Sequence, residues 1–245
     1  EVANDHVTLA KNPHYWDAAH VSLDTVIFYP TDDEIAAVRR FKAGELDLNY
    51  GFPTDTYAAL VADLGRDAVR LTPSLTAEYC AFDTRKPPFD DVRVRQALSL
   101  AIDRDALSAS VAGAGLPLYS FVPEGIAGYT PAAADDAAMP QGEREDKARA
   151  LLQAAGYGDG GTPLAIELRY TAGDNHKKVA TAIAAAWKAL GVAVTLTPAD
   201  TKAHYAALTA AAGFDAARVG WTAAYADPQA FLAPYASAST PFNYT

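Results

Sequence analysis

The sequence predicts an α/β fold. Strand-like runs rich in β-branched and aromatic residues alternate with helical patterns over most of the 245 residues. The helical patterns stop at glycines, and one long aperiodic stretch separates two alternating series.

The elements follow in order. "HVTLAKNPHYWD" (6–17) opens as a short strand and turns at Asn12-Pro13. "LDTVIFYP" (23–30) is β-branched and aromatic, closed by Pro30, and reads as a strand. "TDDEIAAVRRFKAG" (31–44) reads as a helix: Thr31 and Glu34 have capping-box spacing, Ile35, Ala37, Val38 and Phe41 recur at helical intervals, and Gly44 closes it. "ELDLNYG" (45–51) reads as a strand, "PTDTYAALVADLG" (53–65) as a helix ending at Gly65, and "DAVRLTP" (67–73) as a further strand. "AEYCAFDT" (77–84) is the next strand. Pro87-Pro88 forces an extended turn before a helix capped by Asp90 or Asp91, with Val94, Ala97, Leu98, Ala101 and Ile102 inward and Arg93, Arg95 and Arg104 outside.

Residues 113–142 hold five Gly and four Pro without a sustained period, a long irregular connection of the kind that is functional or mobile. Order resumes with the helix "EREDKARALLQAAG" (143–156). A second series follows: strand 162–170, a helix 174–191 capped by Asp174, strand 192–199, a helix 200–213 capped by Asp200, strand 214–221, and a helix starting at Asp227-Pro228. The boundary between the two α/β parts is expected near Pro73–Thr76. Both ends of the chain read as cut, since neither carries a closing element.

Composition removes several function classes. The formal net charge is −10, which disfavours nucleic-acid backbones and anionic lipid. No apolar run approaches the roughly 20 residues of a membrane-spanning helix, and the first residues do not read as a secretory leader. Cys80 is the only cysteine, so it forms neither an internal disulfide nor a zinc cage and reads as a small buried hydrophobe. "GYGDGG" (156–161) satisfies GxGxxG in letters, but it follows a helix and precedes a strand, the reverse of a dinucleotide fingerprint. There is no P-loop, nucleophile elbow or HExxH, and the five histidines lack metal-ligand spacing. The acid pairs Asp90-Asp91, Asp103/Asp105 and Asp135-Asp136 sit where helix caps and solvated loops are expected.

Several stretches together, in order along nearly the whole chain, resemble one family: "KNPHYWD" (11–17), "RRFKAGELDL" (39–48), "FDTRKPPFDDVRVRQALSLAIDRDAL" (82–107), "ARALLQAAGY" (148–157), "HKKVATAIAAAWKALGV" (176–192) and "FDAARVGWTAAYADPQAFL" (214–232). They are similar to the oligopeptide-binding proteins of bacterial ABC importers, in the dipeptide/oligopeptide/nickel solute-binding family (family 5). The resemblance implies a type II periplasmic-binding-protein-like fold. Residues 1–75 would be part of the first lobe, and 76–245 the second, C-terminal lobe, truncated at its end.

The resemblance implies a binding protein and not an enzyme, with no cofactor or metal. Two lobes would close over an extended peptide or peptide-like ligand and deliver it to ABC permease subunits in the membrane. It further implies a monomer, placed in the periplasm or lipid-anchored outside a Gram-positive cell. Residue by residue, Arg218 and His176 would meet a peptide carboxylate, the latter from the start of its helix. Gly220 would allow close backbone approach, Trp221 would form a wall, and residues 220–222, Thr222 included, would offer N–H and C=O groups to the ligand. Tyr79 would line the cleft or belong to the core. One departure matters: where peptide-binding relatives carry an Asp for the ligand's ammonium, this chain has Ala224, and Asp227 belongs to a helix start. A modified or cell-wall peptide, or a non-peptide solute, is therefore the alternative ligand. A sensor-linked binding domain and, more remotely, an Asp-pair hydrolase are the other classes consistent with the pattern.

Overall fold

A computed structural model describes residues 5–31, 33–72, 74–110, 115–158, 160–210, 214–237, 240 and 242–245. The chain divides into two compact units, residues 1–53 and 54–245. This division lies N-terminal of the Pro73–Thr76 boundary expected from the sequence, of which Pro73 is outside the described residues.

The first unit pairs β1 (Val7–Ala10) with β2 (Thr25–Phe28) as an antiparallel ribbon, followed by helix α1 (Glu34–Lys42). The capping box expected from Thr31 and Glu34 is replaced by Asp33, whose carboxylate accepts from the Ala36 amide at 2.9 Å; Thr31 instead accepts from the Asp33 amide. "ELDLNYG" forms no strand. Glu45 is drawn back onto Arg40 at 2.9 Å, and Leu48 and Tyr50 are exposed, so nothing holds the segment in a sheet.

In the second unit, α2 (Tyr57–Leu64) ends at Gly65, whose φ of 86° only glycine adopts freely. The strand expected at 67–73 is also absent over its described residues: the Val69 amide bonds to the Gly65 carbonyl, making a turn that buries Val69. The core sheet is four-stranded, in the order β3 (Thr76–Phe82), β6 (Ala216–Thr222), β4 (Ala165–Thr171), β5 (Ala193–Ala199). β3 is antiparallel to β6, while β4 is parallel to both β6 and β5.

Helices α3 (Val92–Leu100), α4 (Arg104–Ser110) and α5 (Gln141–Ala154) follow β3. The single helix expected after Pro88 is two helices. The chain breaks at Ala101–Asp103, where the Asp103 carboxylate accepts from the Ala106 amide and starts the second. Asp91 is the cap of the first, accepting from the Arg93 amide. Arg104 is half-buried rather than outside, donating to Ser99 and to the Ile102 carbonyl. Residues 115–140 are irregular, as expected.

One face of the sheet carries α3, α5 and α6 (Asp174–Ala189) over a core of Phe89, Val94, Leu98, Leu152, Ile166, Leu168 and Trp187. The Trp187 indole N–H is satisfied by the Leu98 carbonyl at 2.9 Å. Asp174 is the first residue of α6 and Gly173 stands at its cap position, so no side chain caps this helix. The opposite face packs α7 (Thr201–Thr209), Phe214 and Tyr244 against Ala81, Ala217 and Val219. Asp200 caps α7 as expected, accepting from the Ala203 amide at 2.9 Å; Gly213, the expected helix stop, lies outside the described residues. Helix α8 (Gln229–Leu232) begins after Pro228, with Asp227 accepting from the Gln229 amide.

Candidate ligand-binding site

The site residues named from the sequence sit on β3, β6 and the first turn of α6, but the pleat divides them. In a strand, alternate side chains face opposite ways. Arg218, Gly220 and Thr222 share the β6 face turned toward the start of α6. Val219 and Trp221 share the other. On β3, Glu78 lies on the Arg218 face, while Tyr79 lies on the Trp221 face.

The first group is a charge cluster. One Arg218 guanidinium nitrogen lies 2.8 Å from a Glu78 carboxylate oxygen, and another donates to Nδ1 of His176. The Arg218 side chain is only 11% exposed and Glu78 is 43% exposed. Burial lowers the His176 pKa, and the adjacent Arg218 charge lowers it further, so at neutral pH the imidazole is an uncharged acceptor. Burial raises the Glu78 carboxyl, against the pull of Arg218.

Two residues of this cluster were not singled out from the sequence: Glu78 and His204. His204 is fully buried, and its Nε2–H donates to the Arg218 carbonyl at 3.0 Å. Its Nδ1 has no partner among the described residues. Glu78 sits on a strand where alternation alone marks it as outward. Its significance is visible only once the β3/β6 register sets it opposite Gly220.

Gly220 has a further use within the β3/β6 pair. A Cβ built there would lie 2.5 Å from Glu78 Oε1. The absent side chain thus leaves room for the Glu78 carboxylate to reach over β6 toward Arg218.

The expectation that residues 220–222 all offer main-chain groups is corrected by the ladder. In an antiparallel pair, residues alternately turn both N–H and C=O toward the partner and away from it. Asp83 N–H bonds to the Asp215 carbonyl, and Ala223 N–H to the Leu75 carbonyl. This phase turns the main chain of Trp221, opposite Ala77, toward β3, and that of Arg218, Gly220 and Thr222 toward the other edge. Among the described residues the β4 ladder reaches only Ala216 and Ala217 on that edge. Gly220 and Thr222 therefore present a short edge without a strand partner among the described residues. The Thr222 hydroxyl lies 3.0 Å from that of Thr76.

Trp221 is half-buried. Its indole N–H donates to the Ala230 carbonyl at 2.7 Å, and its ring meets Phe242, with centroids 5.4 Å apart. It packs against the cluster of Ala77, Val122, Ile126 and Phe231. Tyr79 stands edge-on to Phe121 and Tyr235, and its hydroxyl is buried without a partner among the described residues. Burial pushes its phenol pKa far up. Both aromatics thus belong to packed clusters on the face away from Arg218. Ala224 is exposed in the segment after β6.

This unit is an α/β sheet with helices on both faces and, among the described residues, a charged cluster beside a strand edge that has no strand partner. Residues 1–243 match the bacterial extracellular solute-binding proteins, family 5 (middle region), and the chain belongs to that family. It is 39% identical over 233 residues to the periplasmic murein peptide-binding protein MppA of Escherichia coli, covering 94% of this chain and 43% of that protein. It is 38% identical over 232 residues to the probable deoxycholate-binding periplasmic protein YgiS of the same organism, with the same coverage. The solved structure of Escherichia coli MppA superposes with a TM-score of 0.91 at 35% identity, over 100% of this chain and 48% of that one. Haemophilus influenzae OppA in complex with RPPGFSPFR gives 0.87 at 30%, also over 100% and 48%. The chain thus spans less than half the length of these relatives, and its fold is the periplasmic-binding-protein fold of family 5.

Proposed function

We propose that this chain forms part of the solute-binding component of a bacterial ABC importer, working outside the cytoplasmic membrane and capturing oligopeptides. The observation that carries this is the free edge of β6 at Gly220 and Thr222, beside the Arg218–His176 pair, in a chain of family 5. An extended peptide laid along such an edge adds main-chain hydrogen bonds whatever its side chains. Relatives named for murein peptide, and one in complex with a nine-residue peptide, support this ligand class. In this reading residues 1–75 belong to one lobe and 76–245 to the other, and solute is held when the lobes close and released to permease subunits. The site performs binding and no bond-breaking chemistry, and the protein acts as a monomer.

A second reading is a modified peptide or non-peptide solute. Ala224 offers no carboxylate to an ammonium group, and Asp227 is engaged in starting α8. An unpaired ammonium in a closed cleft is costly. The 38% identity to a probable deoxycholate-binding protein points the same way.

Mass spectrometry of the small molecules released on denaturing the purified protein tests both. Peptides of several sequences support the first reading, and a single non-peptide or blocked species supports the second. Calorimetry with the recovered compound then measures its affinity.

A further inference from the structure

The Arg218 guanidinium already has a carboxylate. Glu78 stands opposite Gly220 and Arg218 opposite Cys80, so the two are diagonal neighbours on one face of the β3/β6 pair, close enough for long side chains to meet. Among the described residues Glu78 is the only anionic group paired with Arg218, at 2.8 Å. The missing Cβ at Gly220 leaves the channel through which that carboxylate reaches across. His176 occupies another face of the guanidinium as a neutral acceptor.

We propose that Glu78 is a specificity-determining residue: it occupies Arg218 as an internal counter-ion and biases the site against solutes that present a carboxylate to this end of the β6 edge. The inference rests on the reading that this edge receives solute. An incoming carboxylate must displace Glu78 from Arg218 or share the guanidinium with it, and two carboxylates at one partly buried site repel. A neutral amide or ester at that end meets no such penalty, so selection comes from a repulsive element as much as from an attractive one.

The test uses the protein carrying this chain, its Glu78→Gln variant and its Gly220→Ala variant. The last crowds the carboxylate off Arg218 without removing it, which guards against a misfolding artefact of either change. Dissociation constants are measured for trialanine and its C-terminal amide. The wild type is expected to favour the amide, and both variants to shift the acid-to-amide ratio at least tenfold toward the acid. Ratios that stay within twofold of wild type in both variants overturn the proposal. Should neither compound bind any of the three proteins, the peptide reading fails. The inference is then judged by acetate titration, followed through the His176 imidazole resonances. A saturable shift in Glu78→Gln that is absent from wild type upholds it, and identical behaviour of the two overturns it.

Discussion

At the scale of single residues, the glycine-tryptophan pair on β6 divides two tasks between two faces of one strand. Gly220 makes room for Glu78 on the charged side, while Trp221 anchors the aromatic side through its bond to Ala230. Trp221→Phe keeps the ring contacts but leaves the Ala230 carbonyl without its donor. Losing one buried partner of this kind costs about 1–3 kcal/mol, and urea denaturation should show a loss in that range. No change would mean the indole is not held as described. The two histidines set a pH dependence. His176 and His204 both have lowered pKa values, burial being the first cause in each. The unfolded chain takes up protons near the ordinary value of 6.5, whereas the folded chain resists them. Stability from this source is therefore complete above 6.5 and falls as pH drops below it toward the folded values. Glu78, raised by burial, works in the opposite sense from its ordinary 4.5 upward. The readout is thus the contrast with His204→Gln: the melting temperature of wild type should fall more steeply between pH 7.5 and 5.5 than that of the variant. Parallel curves would contradict the assignment.

At the scale of elements, the strands and helices of the second α/β series were legible because each carries its own pattern. Ile166, Leu168 and Tyr170 alternate on β4, and Ala180, Ile183 and Trp187 recur on one face of α6. Asp200 was readable as a cap because it alone precedes the α7 period, and Asp200→Ala is expected to cost about 0.5–2 kcal/mol by chemical denaturation. An unaltered midpoint would show that the bond to Ala203 does not matter. Segments 45–51 and 67–72 form no strand for the same physical reason. β-propensity reports fitness for a pleated surface, and it makes no strand without a partner. Leu48 and Tyr50 remain exposed instead, while Val69 is drawn inward by a turn. Caps lie within two positions of where the local pattern places them: Asp33, two residues after Thr31, caps α1, and Gly173, one residue before Asp174, stands at the cap of α6.

At the scale of the whole molecule, the family was legible from ordered stretches such as "KPPFDDVRVRQALSLAIDR", but the internal wiring of the site was not. Which face each residue takes, and which amides point outward, depends on a register between strands some 140 positions apart in sequence. No local pattern encodes it. We propose that the β6 edge at Gly220 and Thr222 receives the solute's main chain. Amide hydrogen exchange of the protein carrying this chain, with and without the compound recovered from it, tests that most directly. Without ligand, the Trp221 amide should be protected by β3 while those of Gly220 and Thr222 exchange freely. At saturation the latter two should slow at least tenfold and Trp221 should not change. Bound ligand that leaves the Gly220 and Thr222 rates as they were would show that solute does not lie along this edge.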